Sequence, residues 1–317
     1  MPVVSIVIIC MNNLKNLYPC LNSIRKYTTV SYETFVVAYL FTPENLAKAK
    51  EEFPWVTFVE SNEIRGFSEN NNLALHQAKG KYCFVVNDDT EMKEPVVDKL
   101  VFSIQSLPEN VAVISPVLRR WDGSIQYCGR PEINLKTWFL STIHLWNERK
   151  TSRYVNQQGV FRSFNLVGAA FLIKTNVFEK MGWFDEKYFF CPEDVALSTK
   201  LNESGYYCYV DANVSIIHYE GMSGKSLSKI QTATRPAARK GTLLFLARNS
   251  NFLYVFLCFY SFLITFVHLL IHATKAFFTK RPNAYSIMTK GDFNILMTSF
   301  SSKSPKEIFT RYFKKNK

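Results

Sequence analysis

Apolar positions along the first ninety residues follow two alternating rhythms. Residues 3–10 (VVSIVIIC) form a nearly continuous apolar run, as in a strand buried on both faces. Leu14, Leu17, Tyr18, Leu21 and Ile24 then recur at helical spacing, which predicts a helix over 14–27. The same reading gives a strand at 35–41, a helix at 44–52, a short strand at 56–59 and a helix at 69–78 with Ser68 as its N-cap. Gly80 ends that helix, and residues 82–86 form a fourth strand. Strand and helix in strict alternation predict a parallel sheet with right-handed crossovers. Ligands in such sheets sit beyond the carboxyl ends of the strands, where Asn12, Asn87, Asp88 and Asp89 fall.

Further along, a helix is predicted near 96–107 and a strand at 111–115 closed by Pro116. Residues 121–165 have no clean period and read as an irregular or inserted region. Residues 166–173 are strand-like. A helix starts at Pro192 and stops at Gly205, followed by two strands at 206–210 and 214–219. The longest apolar run comes late. Residues 252–273 are 22 residues long, with His268 and His272 alone able to titrate near neutral pH. That length can span a bilayer.

Charge changes how that run is read. The whole chain has a net charge of +12, which invites a nucleic-acid partner. Residues 1–224, however, hold 22 basic and 24 acidic side chains, whereas residues 225–317 hold 16 basic and 2 acidic, a net of +14. Basic charge concentrated beside an apolar helix suits an anionic membrane surface and argues against nucleic acid. Both flanks of the helix are basic, so a single span would carry a basic tail across the membrane. An in-plane or re-entrant helix with both ends on the cytoplasmic side is the reading preferred over a span or over a soluble core helix or oligomer interface. Seven cysteines without a CxxC pair predict reduced, mostly buried thiols.

Three constellations carry chemistry. Asn87-Asp88-Asp89-Thr90 follows a buried strand, and carboxylates grouped there call for a positive partner such as Mg²⁺ or Mn²⁺ on a nucleotide diphosphate. An ordinary turn would explain the same residues. Glu193-Asp194 opens a predicted helix after an aromatic loop. It is either a favourable helix start or a general base above a groove walled by Trp183, Phe184, Tyr188, Phe189 and Phe190. His218 follows a strand and precedes a glycine-containing loop, and reads as structural or as a ligand.

In their order along residues 2–225, these blocks resemble the family 2 glycosyltransferases of GT-A fold, especially the bacterial rhamnosyltransferase-like branch. The blocks are VSIVIICMNN, NEIRGFSENNNLAL, CFVVNDDT, LVGAAFLIKTNVFEKMGWFDEKYFFCPEDVALSTKL and HYEGMSGKS. The resemblance implies a nucleotide-diphospho-sugar transferase fold, α/β with a mostly parallel central sheet and flanking helices. To this the chain adds a C-terminal membrane-associating helical segment. It implies a catalytic domain at 1–224, with a donor half at 1–118 and an acceptor half at 119–224. Residues 225–317 form the membrane-associating region.

The resemblance also assigns roles. Asp194 falls on the catalytic base and Glu193 on a supporting acid. Asn12, Arg65, Asn72, Asn87 and Asp88 fall on the donor side, Asp89 and His218 on the metal, and Trp183, Phe184 and Asp185 on the acceptor side. The implied reaction is an inverting transfer from a nucleotide-diphosphate donor, with Mg²⁺ or Mn²⁺ as cofactor. The acceptor would be a glycan or a lipid-linked molecule in surface polysaccharide synthesis at the cytoplasmic face of the cell membrane. Two positions depart from the family pattern. Asn87 stands for the first Asp of the Asp-x-Asp pair, and Ala38 and Tyr39 stand where an Asp usually contacts the nucleobase. The second departure leaves room for a catalytically silent nucleotide-sugar-binding scaffold.

Overall fold

A computed structural model of the chain describes residues 1–148, 154, 156–219, 228–278 and 282–315. The glycine–serine part of the block after His218, residues 220–227, lies outside the described residues. The chain divides into two compact units. One comprises Met1–Ile133, Trp146–Asp185 and Asp194–Ser223. The other comprises Asn134–Leu145, Glu186–Glu193 and Gly224–Lys317.

The first unit is built on a ten-stranded sheet. In chain order its strands are β1 (Val4–Met11), β2 (Tyr32–Tyr39), β3 (Thr57–Ser61), β4 (Tyr82–Asn87), β5 (Thr90–Glu91), β6 (Val111–Arg119), β7 (Ile125–Tyr127), β8 (Val160–Ser163), β9 (Ala170–Lys174) and β10 (Tyr207–His218). They are ordered β3-β2-β1-β4-β9-β6-β10-β5, with β7 beside β6 and β8 beside β10. β3, β2, β1 and β4 run parallel, as do β6 and β10, while β9 is antiparallel to both its neighbours.

The helices of this unit are α1 (Leu14–Tyr27), α2 (Pro43–Glu52), α3 (Phe67–Leu75), α4 (Val96–Gln105), α6 (Thr175–Lys180) and α7 (Glu193–Glu203); α5 (Leu135–Thr142) belongs to the second unit. The nearly continuous apolar character of β1 follows from burial on two sides. Ile6 and Ile8 pack with Leu17, Leu21 and Ile24 of α1 on one face. Val7 packs with Ala74 and Leu75 of α3 on the other. Each such fully buried side chain contributes about 1.5–3 kcal/mol.

Four expectations are corrected. Ser68 is not the cap of α3: the helix begins at Phe67, and the Glu69 carboxylate accepts the Gly66 N–H at 2.9 Å. Pro116 does not close its strand. β6 continues to Arg119, and β10 opposite absorbs the missing N–H with an irregular register between Asp211 and Ser215. The two strands predicted at 206–219 are therefore one. Finally, residues 166–169 are not strand. The N–H of Leu166 is taken by Ser198 Oγ at 3.0 Å and that of Val167 by Ser115 Oγ at 3.4 Å, which makes this segment a strap ahead of β9. The region 121–165 holds β7, α5 and β8 among its described residues.

The second unit is helical: α5, α8 (Ser228–Ala247), α9 (Asn251–Phe278), α10 (Pro282–Leu296) and α11 (Pro305–Lys315). Trp138 of α5 packs with Leu243 and Leu246 of α8 and with Leu257 and Cys258 of α9. Within it, Asp292 joins Arg235 and His272 at 2.6 Å each.

Candidate active site

The carboxyl end of β4 carries the first part of the site. Asn87 donates its N–H to Ala169 O at 3.0 Å, which fastens the β4 end to the strap before β9. Asp88 and Asp89 follow and are both 5 % exposed. Asp88 lies close enough to Cys10 to help raise that thiol, although burial is the larger cause. Asp89 Oδ1 is buried without a hydrogen bond and sits 3.3 Å from His218 Nε2.

His218 ends β10, held there by pairing with Thr90. Its Nδ1 lies 2.8 Å from Gln126 Oε1, a contact that turns Nε2 towards Asp89. With the proton on Nδ1, Nε2 presents a lone pair towards Asp89. In that tautomer the imidazole nitrogen and the unbonded carboxylate oxygen could together hold a cation. Among the described residues no cluster of three or more His, Cys, Asp or Glu can hold a metal. The pair fits a hard divalent ion that takes most of its oxygens from a bound diphosphate and water, as Mg²⁺ does.

The second part is Asp194, in the first turn of α7. Its Oδ1 accepts the Val195 N–H at 2.8 Å. Its Oδ2 is ion-paired with Arg130 Nη1. Arg130 also reaches Glu148 Oε1 at 2.6 Å and Leu166 O at 3.3 Å. Burial alone would lower the Arg130 pKa, but Asp194 and Glu148 raise it well above the ordinary guanidinium value. Gly168 in the strap leaves room for Asp194: a Cβ there would lie 3.0 Å from Oδ2. Ser198 Oγ accepts from Leu166 N–H and donates to Asp194 O at 2.7 Å, locking strap to helix. The strap thus places Asp194 beside the segment that fastens Asn87. Glu193 is buried.

The remaining candidates divide by what they touch. Asn12, at φ +49°, accepts from Thr42 N–H at 3.1 Å and Asn45 Nδ2 at 2.9 Å. Arg65 reaches Ser61 Oγ at 3.3 Å and Glu63 at 3.0 Å. Asn72 is committed to the Phe184 backbone, accepting its N–H at 3.2 Å and donating to its carbonyl at 3.0 Å. Asp185 is exposed. Trp183, at φ +61°, packs its ring edge-on against His76. The expected aromatic groove is corrected. Phe184, Tyr188 and Phe189 are all buried, and Phe184 packs among Phe67, Phe171 and Phe178. Tyr39 is buried too, and its hydroxyl accepts the Arg65 N–H at 3.4 Å.

Sequence reasoning missed Arg130, Glu148, Gln126 and Gly168. The first three lie in the segment without a hydrophobic period, so nothing local marked them.

The family model described as Glycosyl transferase family 2 matches residues 5–182, more than half of the chain. The chain belongs to that family. Among curated relatives of this family 2 chain, the O-antigen biosynthesis protein RfbC of Myxococcus xanthus is 24% identical over 198 residues, 61% of this chain and 14% of that protein. The N-acetylglucosaminyl-diphospho-decaprenol L-rhamnosyltransferase of Mycobacterium tuberculosis is 23% identical over 172 residues, 52% of this chain and 55% of the relative. The chain therefore spans about half or less of the relatives it matches. Two solved structures share the fold. The mannosyltransferase PcManGT from Pyrobaculum calidifontis, in complex with GDP-Man and Mn²⁺, has a TM-score of 0.55 at 16% identity, covering 99% of this chain and 87% of that one. GalNAc-T7 with UDP, GalNAc and Mn²⁺ has a TM-score of 0.53 at 17% identity, covering 69% and 44%. These likenesses establish the GT-A-like fold expected from the sequence.

Proposed function

We propose that this chain is an inverting glycosyltransferase that moves a hexosyl or deoxyhexosyl group from a nucleotide-diphosphate donor to a hydroxyl. The observation that carries the reading is that Asp194, ion-paired with Arg130, packs against Gly168 of the strap whose Ala169 carbonyl fastens Asn87, two residues before Asp89. Asp194 accepts the proton of the acceptor hydroxyl as that oxygen attacks the anomeric carbon. The bond from that carbon to the diphosphate breaks in the same displacement, which inverts the anomeric configuration. Asp89 and His218 would hold the Mg²⁺ or Mn²⁺, which supplies charge stabilisation for the departing diphosphate. Arg130 orients the base and Gly168 gives it space.

The relatives' names support a glycan or lipid-linked acceptor in surface polysaccharide assembly. The basic C-terminal region supports work at the cytoplasmic membrane face. For the domains we keep a catalytic part at 1–224 and a membrane-associating part at 225–317. A silent donor-binding scaffold remains the second reading, favoured by one observation: Ala38 and Tyr39 are buried in the sheet where an acidic base-reader would stand.

A thermal-unfolding screen with UDP-, dTDP- and GDP-sugars, with and without Mn²⁺, tests the proposal. One nucleotide class should stabilise the protein in a metal-dependent way, by about 2.7 kcal/mol at a hundredfold excess over Kd. Asp89→Asn should weaken that dependence. Stabilisation without any release of nucleoside diphosphate in the presence of acceptors would favour the scaffold. No stabilisation by any donor would count against both readings.

A further inference from the structure

The helix α9 is long and apolar enough to cross a bilayer, yet only 22% of its most apolar window is buried. Its two sides differ completely. The outward stripe runs through Phe252, Phe259, Leu263, Phe266, Leu270 and Phe277, spaced three, four or seven residues apart, with exposures from 48% to 86%. At 1.5 Å per residue this stripe is about 38 Å long. Phe300 extends it sideways, with its ring centroid 5.0 Å from that of Phe259, and Phe293 and Met297 are also more than half exposed. A contiguous apolar face of this length exceeds what a soluble monomer ordinarily leaves bare.

The contacts that α9 makes with charged side chains lie on the other side, spread along its length. Near its start, Lys240 sits over the Tyr254 ring, 5.0 Å from the centroid. Midway, Arg239 and Ser261 line one small cavity. Towards its end, His272 bonds Asp292, which also holds Arg235. A spanning α9 would draw these charges to every depth of the hydrocarbon. An in-plane α9 keeps them on the water side.

The exposed charges of this region are nearly all of one sign. Among the described residues of 228–315, Arg248, Lys275, Lys290, Lys303, Arg311 and Lys314 are exposed, against Glu307 as the exposed acid. Two copies meeting through this face would bring like charges together, whereas an anionic leaflet complements them.

We propose that α9 and the Phe293–Met297–Phe300 edge form one in-plane docking face for an anionic phospholipid leaflet, with α9 lying along the surface and not crossing it. This deepens the membrane part of the proposed function and rests on it, but it is tested without sugar transfer.

The full-length protein is co-sedimented with vesicles of phosphatidylglycerol and phosphatidylcholine, and with phosphatidylcholine alone. Binding should favour the anionic vesicles and fall with salt. Phe259→Glu together with Leu263→Glu, at two exposed positions, should weaken it about tenfold or more while leaving the unfolding midpoint and donor-induced stabilisation unchanged. Lys275→Glu with Lys303→Glu should weaken binding to anionic vesicles alone. Alkaline carbonate should release the protein from membranes. Retention after carbonate would overturn the in-plane arrangement in favour of a span. Absence of vesicle binding, with a lipid-free dimer that the Phe259→Glu/Leu263→Glu variant abolishes, would overturn it in favour of a second copy. Either failure leaves donor binding, and hence the transferase reading, standing.

Discussion

Arg130 joins three separate stretches of chain through one guanidinium: Glu148, the strap at Leu166 and the carboxylate of Asp194. Removing it strands two carboxylates in a largely buried place, which ordinarily costs about 3–5 kcal/mol, so its loss would blur stability and activity together. Gly168 separates them. A methyl there must displace the Asp194 carboxylate by a few tenths of an ångström, with Asp194 Cβ a further contact at 3.2 Å. Gly168→Ala should therefore lower kcat by roughly 10–100-fold while KM for the donor and the unfolding midpoint change little. Steady-state kinetics beside thermal unfolding check this, and an unaltered kcat would detach Gly168 from the base. The acidic pair at 193–194 was legible because adjacent carboxylates after an aromatic loop are conspicuous. Its arginine was not, because the pairing is 64 residues distant and lies in a segment without periodicity.

At the scale of elements, the long strand β10 depends on support from outside the ladder. Where its register slips opposite Pro116, Glu94 accepts the Ser215 N–H at 2.8 Å and pairs with Lys99 of α4. Burial raises the Glu94 pKa, but the hydrogen bonds from Lys99 and Ser215 outweigh it and hold the carboxyl below its ordinary value. A lowered carboxylate pKa contributes stability above the ordinary carboxylate range and loses it as pH falls through the native value. Glu94→Gln should lower the unfolding midpoint by roughly 2–4 °C near neutral pH, and the gap to the wild type should close in acid. A gap independent of pH would assign the effect to packing.

Elements with strong internal periodicity were readable from the chain alone: α1 was predicted with the bounds it has, and the parallel pairing of β1 to β4 followed from the alternation. Pro116 misled because a proline usually ends a sheet strand, and here the partner strand yields instead. Phe184 misled in the opposite way. Its aromatic neighbours suggested a substrate wall, while Asn72 fixes the turn that sends its ring inward.

For the whole molecule, net charge divides the chain between residues 1–224 and 225–317. The first, near neutral in net charge, carries the sheet, the carboxylates and the family 2 match. The second, strongly basic, bares a continuous apolar helix face. In the proposed reaction Asp194 takes a proton while a diphosphate leaves. The most direct measurement is nucleoside diphosphate release in the presence of acceptor by the wild type and by Asp194→Asn, with donor affinity measured on the same proteins. Amide for carboxylate keeps the shape and removes the base. Release should fall by at least about 10²-fold while donor affinity stays nearly unchanged. Release at the wild-type rate from the Asn variant would contradict that role for Asp194.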